Sequence, residues 1–276
     1  MSAVAPGSAD ERAAQIWMRL AVVVDPELDE SVTALGFVTS VAADAAGGVK
    51  IAFRLPTYWC AANFAFLMAD DMRAAAASLP WVTGVTVELD EHMYAAEINS
   101  GVAKGLSFQQ SFGDAASDDL AELRRTFLLK AFQRRQEALL TNLLARGHDA
   151  YELVKWSVDE LSLLAVDDAH TKGLIDRYIE RRFVVGASPD ESQKLQVAFV
   201  DSAAAVLDPS TLDAYLRALR RVGVNAEFNG ALCRGLLAAR YGTDAGPPAH
   251  ADDEHPIHFV TRHTYQEIAA RNAGAG

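Results

Sequence analysis

The chain of 276 residues holds two cysteines, and one of them, Cys60, stands where a thiol can do chemistry. It closes the run Leu55-Pro56-Thr57-Tyr58-Trp59-Cys60, after an apolar strand-like segment and before an apolar helix-like one. A thiol at a helix N-terminus lies among unpaired backbone N–H groups and at the positive end of the helix dipole. Both favour the thiolate, the form that binds metal or attacks an electrophile. Upstream, Asp25-Pro26-Glu27-Leu28 forms an acidic turn. Carboxylates just after a helix oppose its dipole, so Asp25 and Glu27 are expected there for another reason: to orient the loop at Thr57–Cys60 or to stand near a metal. Thr57 is a candidate cap for the helix that follows, since its hydroxyl can accept from unpaired N–H groups. One thiolate cannot hold a metal cluster by itself, since such clusters usually take four thiolates, or two with two histidines. Cys60 is therefore suited to transient metal contact, to bridging to a partner's thiolate, or to pairing with a second copy in a homodimer.

The surrounding periodicity supplies the elements that hold these residues. Ala13 to Val24 reads as a helix with Ile16, Trp17 and Leu20 on one face, ended by Pro26, whose predecessor avoids the helical region. Leu35–Ala42 and Val49–Leu55 read as strands joined at Gly47-Gly48, a hairpin signal. Cys60–Ser78 reads as a helix burying Phe64, Leu67, Met68 and Met72, and Val82–Leu89 alternates as a third strand. A short strand is expected at Tyr94–Ile98, with Glu88, His92 and Glu97 as solvated strand-end residues. The order α-β-β-α-β predicts a small α+β sandwich, with helices on one face of the sheet.

That order, the acidic turn, Leu35-Gly36-Phe37-Val38 and the Thr57-x-x-Cys60 run resemble the SufT/PaaD-like family of metal–sulfur cluster assembly factors, over roughly residues 10–106. The resemblance implies that Cys60 is the cysteine tied to cluster assembly and that Asp25 and Glu27 match the family's acidic turn. A proline usually follows that cysteine in the family; here Ala61 does. The resemblance further implies a role in assembling metalloproteins, with iron or an iron–sulfur cluster passing through rather than stably bound. Long versions with a helical extension look like accessory proteins of multicomponent monooxygenases with a non-haem diiron centre, and the PaaD component is associated with an aromatic-ring oxygenase.

Beyond this module (1–106) the chain reads as a linker (107–117), an all-α bundle (118–242) and an extended, His-rich tail (243–276). Phe108 and Phe112 suggest that the linker packs on something. In the bundle, Leu120, Leu123, Phe127, Ala131 and Leu128, Phe132, Leu139, Leu143 recur at helical spacing. Ser157-x-x-Glu160 is a capping box, Lys172–Phe183 a further helix, and Ser188-Pro189-Asp190-Glu191 a helix start. Asp208-Pro209 is expected to open a helix through Arg221, and Asn225 another that stops at Tyr241-Gly242. Cys233 reads as a core residue of that last helix, in a different domain from Cys60. Arg124, Arg125, Lys130, Arg134 and Arg135 make a basic run, read either as a solvated face or as a docking patch for an acidic client. In the tail, His250, His255, His258 and His263 crowd near acidic residues, a mixture that suits zinc, iron or nickel. Their spacing matches no standard site, and a polar tail wrapping the bundle or a partner is the reading preferred.

Composition removes whole classes. A formal net charge of −12 argues against nucleic acid, whose binding rests on clustered Lys and Arg. No apolar run reaches the roughly 18–20 residues of a membrane helix. The N-terminus lacks a basic-then-apolar signal segment, and two distant cysteines fit a reducing cytoplasm. Phosphate loops, HExxH, CxxC and G-x-S-x-G motifs are missing. The reading is a non-enzymatic maturation factor in which Cys60 contacts metal or thiol and the helical part binds a client metalloenzyme subunit. The alternatives are a metal-independent assembly chaperone for an oxygenase subunit and a thiol enzyme using Cys60.

Overall fold

The computed structural model describes residues 8–113, 120–186 and 196–242. They fall into two units: one runs to Leu120 and resumes at Gly230, the other is Ala121–Asn229. The architecture is α+β, a three-stranded sheet in the N-terminal region with helices elsewhere. Among the described residues no helix is long and apolar enough to cross a membrane.

In the first unit, α1 spans Ala9–Leu20. It begins a turn earlier than its apolar face predicts, because Ser8 and Glu11 form a reciprocal capping box that satisfies two orphan N–H groups. It ends well before Pro26, and Val23 reaches the core from the turn beyond it. Strand β1 (Val38–Ala43) pairs antiparallel with β2 (Gly48–Arg54), and β2 pairs in parallel with β3 (Gly84–Asp90). Gly47 turns the hairpin at φ +89°, where a side chain would run into the Trp81 carbonyl oxygen, so glycine is required there. Between the parallel strands, α2 (Ala62–Ala77) makes the crossover and buries Phe66, Leu67, Met68 and Met72. The core beneath it is Ile16, Leu20, Ile51, Phe53, Val87 and Leu89.

The expected strand at Tyr94–Ile98 is a helix instead, α3 (Ala95–Ala103). Ile98 and Val102, four apart, are its buried face, a helical period. Its Asn99 satisfies both polar groups of Leu89 on the open edge of β3, accepting from the N–H (2.8 Å) and donating to the carbonyl (3.2 Å). The short α4 (Phe108–Phe112) packs back through Phe108 against Phe66 and Phe112 against Tyr94, each at 5.6 Å between ring centres.

The second unit is helical. It contains nearly all of α5 (Leu120–Ala145), then α6 (Ala150–Leu153), α7 (Val158–Ser162) and α8 (Ala169–Arg182). The Ser157–Glu160 capping box is present. The helix start at Ser188–Glu191 lies outside the described residues. The two helices expected after Asp208 are one: after a 3-10 turn at Pro209–Thr211, α9 runs unbroken from Leu212 to Tyr241. Gly223 and Asn225 lower helix propensity but do not interrupt it, since a single poor helix former costs only about 1 kcal/mol. Gly242, at φ +64°, provides the stop.

Buried polar groups tie this unit's core together. Gln136 donates to the Tyr178 hydroxyl (3.1 Å) and the Val200 carbonyl (2.8 Å), and accepts from Tyr215 (2.5 Å). Burial raises the pKa of both tyrosines, keeping them neutral donors. Arg182 is buried and donates to the carbonyls of Val185, Val197 and Ala198, each at 2.8 Å. Replacing Arg182 with Leu is expected to destabilise this unit by about 3 kcal/mol, because the carbonyls of Val185 and Val197 lose their side-chain donor and Ala198 keeps only the Tyr178 hydroxyl. Urea unfolding followed by near-ultraviolet circular dichroism would register it.

Candidate functional site

The segment from Val23 to Val32 folds back on itself. Val32 N–H bonds the Val23 carbonyl (2.9 Å), and Asp25 N–H bonds the Glu30 carbonyl (2.9 Å). Asp25 closes the turn from inside, its Oδ1 accepting from the N–H groups of Glu27 (2.9 Å) and Leu28 (2.8 Å). This explains why the sequence puts an acid after α1. Asp25 serves its own turn, and the expected reach to the Thr57–Cys60 loop is replaced by these two local bonds.

Asp25 is buried, and burial raises its carboxyl pKa to about 6 from 3.8, against the lowering effect of the Leu28 and Glu27 hydrogen bonds. The folded state thus holds the proton more tightly than the unfolded chain does. Asp25's contribution to stability is full below pH 4 and declines as pH rises through 6. Asp25→Asn keeps the acceptor oxygen without the charge. It should raise stability at pH 7 by about 2–3 kcal/mol, roughly two pKa units, and the gain should vanish near pH 4 in a series of thermal melts.

Cys60 lies two residues before α2, whose N-cap is Ala61 and has no side-chain cap. The expectation that Thr57 caps this helix therefore fails. The Thr57 hydroxyl instead sits 3.1 Å from Cys60 Sγ, and the Cys60 N–H reaches the Thr57 carbonyl at 3.5 Å. The loop is pinned from a second side by His92, which sequence reasoning had left in solvent. His92 is buried, its Nε2 is 2.8 Å from the Cys60 carbonyl, and its Nδ1 accepts from the Tyr94 N–H at 3.2 Å. With Nδ1 as acceptor, Nε2 carries the proton and donates to the carbonyl. A further bond runs from the Met93 N–H to the Tyr58 carbonyl (2.9 Å). Spacing along the chain gave no sign of this pairing, because Cys60 and His92 meet only through the parallel β2–β3 crossover.

Cys60 is half-buried, and large exposed apolar side chains stand on its own loop and on the segment hydrogen-bonded to that loop. Trp59 is 72% exposed, Tyr58 50% and Met93 45%. Exposed large apolar side chains on adjoining segments are a mark of a contact surface rather than of a fold requirement.

The last turns of α9 belong to this same unit. Arg234 pairs with Glu30 of the acidic turn (2.8 Å; side chains 13% and 14% exposed), Leu237 lies 3.6 Å from where a Gly36 Cβ would stand, and Tyr241 stacks under Arg54 at 3.7 Å. Arg240 pairs with Glu91 at 2.8 Å. Cys233 consequently packs on the N-terminal core, as Cys60 does. Burial raises its thiol pKa to about 11, reinforced by the nearby charges of Asp25, Cys60 and Glu27 and opposed by Arg234. The assignment of the two cysteines to different domains is thus corrected: they share one unit.

Of the basic run, Arg125 and Lys130 are exposed, the latter 4.5 Å above Phe127, while Arg124 and Arg134 are half-buried. Arg135 points inward and pairs with Glu180 (2.8 Å), so it holds α5 to α8 rather than facing a client. His250, His255, His258 and His263 lie outside the described residues. Among the described residues no three of His, Cys, Asp and Glu converge in a way that could hold a metal ion.

No curated protein and no solved structure matches the chain. A family model does, over the stretch that carries α1, the acidic turn, the thiol loop and all three strands: residues 13–89 match the iron–sulfur cluster assembly protein family.

Proposed function

We propose that this chain is a non-enzymatic maturation factor of the SufT/PaaD-like kind, acting in the reducing cytoplasm on a client metalloenzyme. An iron–sulfur protein or a subunit of a non-haem diiron monooxygenase is the client class. The observation that carries this reading is the setting of Cys60, a thiol on a loop fixed by Thr57 and His92, with exposed Tyr58 and Trp59 on the same loop and exposed Met93 on the segment bonded to it. It lies within the stretch that matches the cluster assembly family. Metal or cluster is cargo here. One thiol can touch it while client or partner ligands complete the shell. The neutral imidazole of His92 spends both nitrogens on backbone groups, which supports a positioning role over that of a base for a thiol enzyme. The helical unit, with exposed Arg125 and Lys130, adds a second contact for the client.

The test is anaerobic affinity capture of the tagged full-length chain from its own cells, followed by mass spectrometry. A metalloenzyme subunit is expected among the retained proteins, reduced about tenfold or more by Trp59→Ala, the scale of losing one aromatic anchor at an interface. Recovery of no metalloprotein would overturn the proposal. Equal recovery with Cys60→Ser, together with unchanged metal content of the client, would favour the metal-independent chaperone.

A further inference from the structure

The exit of strand β2 carries a cation that the fold leaves without an anion. Arg54 is the last residue of β2, and the parallel register sets Asp90, the last residue of β3, opposite it. No ion pair forms between them. The guanidinium turns instead to the ring of Tyr241, 3.7 Å from its centre. Its Nε is sealed from solvent and makes no hydrogen bond, and among the described residues no ion pair reaches its Nη nitrogens. The chain holds 37 acidic side chains against 25 basic, and Lys50, Arg73, Arg234 and Arg240 of the same unit each pair with one. Glu91, next after Asp90, is taken by Arg240 and by the Tyr241 hydroxyl. A sealed donor without a partner costs stability, so its persistence amid so much acid calls for a reason. Its place in the fold supplies one. Arg54 stands at the carboxyl ends of two parallel strands joined by a helix, where such sheets hold ligands, and Leu55-Pro56 leads from it into the thiol loop. That loop is tied to the exit of β3 by the Met93–Tyr58 and His92–Cys60 bonds.

We infer that Arg54 anchors a carboxylate of a protein partner, bound edge-on by its Nη nitrogens. The Tyr241 ring covers one face of the guanidinium and leaves the edge, whose forked N–H groups match the two oxygens of a carboxylate. Stacking fixes the guanidinium plane in advance, so little freedom is lost when the acid arrives. A singly charged carboxylate fits this place better than a phosphate group, because Asp90 and Glu91 stand at the same sheet end and repel a doubly charged anion more strongly. Exposed Tyr58, Trp59 and Met93, on the loop that follows β2 and the segment that follows β3, offer apolar contact to residues beside that acid, which favours a peptide over a free small anion. Tyr241 comes from the far end of α9, so the anchor exists only while that last turn is docked on the sheet unit. The binding itself needs no thiol chemistry; only the step that makes the client the owner of the acid rests on the maturation reading.

The test titrates the full-length chain, without metal or client, and follows arginine side-chain Nε–H signals in proton–nitrogen correlation spectra. The sealed Nε of Arg54 protects its proton from exchange, and Arg54→Lys identifies its signal. Three tripeptide probes carry leucine on either side of glutamate with both ends capped, of glutamine with both ends capped, or of glutamine with the C-terminal carboxylate free. An acidic probe is expected to move the Arg54 signal and to bind about tenfold or more tighter than the capped glutamine probe, the scale of a charge-assisted pair. The tighter of the two acidic probes tells whether the partner offers a side chain or its chain end. Arg54→Gln should reduce the acidic probes to the level of the neutral one, and Arg54→Lys, which keeps the charge without the fork, should fall between. Equal binding of acidic and neutral probes by the wild type, or acidic binding undiminished in Arg54→Gln, would overturn the inference. The comparison of probes on the wild type holds whatever the substitutions do to folding. With no client present, failure here leaves the maturation role standing, and a client capture that fails leaves the carboxylate anchor standing.

Discussion

Cys60→Ser is expected to leave the protein folded and its client nearly without metal. Serine replaces sulfur by oxygen at a half-buried loop position, and such surface-proximal changes usually move stability by less than about 0.5 kcal/mol. The hydroxyl of Thr57 still finds a partner atom there, and the His92 bond goes to the backbone carbonyl, which the substitution does not touch. Metal handling should respond quite differently. A hydroxyl does not ionise near neutral pH and is a poor ligand for thiophilic iron. Residues one shell removed from a metal already cost about 10–100-fold when changed, so loss of the contacting sulfur should be at least as severe. Metal per client subunit, measured on client purified from cells producing either version, should drop by about tenfold or more, at unchanged melting temperature of the variant. Cys233→Ser serves as the control and should retain delivery under reducing conditions.

Arg234→Glu should release the end of α9 from the sheet unit. The pair with Glu30 is nearly sealed from solvent, and breaking a buried pair by removing one partner costs about 3–5 kcal/mol. With each side chain still slightly wet, about 2–3 kcal/mol is the expected loss. Reversal places two carboxylates together beside Asp25 and Glu27, so the penalty exceeds that of Arg234→Ala. Amide hydrogen exchange should rise through the last three turns of α9 while the β2–β3 ladder stays protected. The swap Glu30→Arg with Arg234→Glu should recover most of the protection, and a double-mutant cycle would give the coupling directly.

Local signals in the sequence carried the fold of the N-terminal module a long way. The Gly47-Gly48 turn, the alternation along Val85, Val87 and Leu89, and the apolar face of α2 are each visible within a dozen residues, and each element is present. Errors arose where a short window is ambiguous or a distant residue decides. Tyr94–Ile98 is too short for period 2 and period 3.6 to be told apart, and the edge bonds of Asn99 settle it as helix. His92 is buried by a contact 32 residues away, and Arg234 finds Glu30 across 204. Arg135 looked like its exposed neighbours because a basic run does not reveal which member faces α8. Thr57 was identified as a residue of the thiol loop, but its hydroxyl turns to sulfur instead of the helix end. Cys233 could not be placed from its own helix, whose apolar positions 232, 233, 236 and 237 do not show which face meets the sheet.

Native mass spectrometry under anaerobic conditions puts the central claim to its most direct test. The reduced full-length chain would be mixed with ferrous iron and sulfide, beside Cys60→Ser and Cys233→Ser, and the intact species weighed. If Cys60 is the contact through which cargo passes, mass increments of iron and sulfide appear on the wild-type chain or its dimer and are absent from Cys60→Ser. Increments of equal abundance on the wild type and on Cys60→Ser would contradict the account.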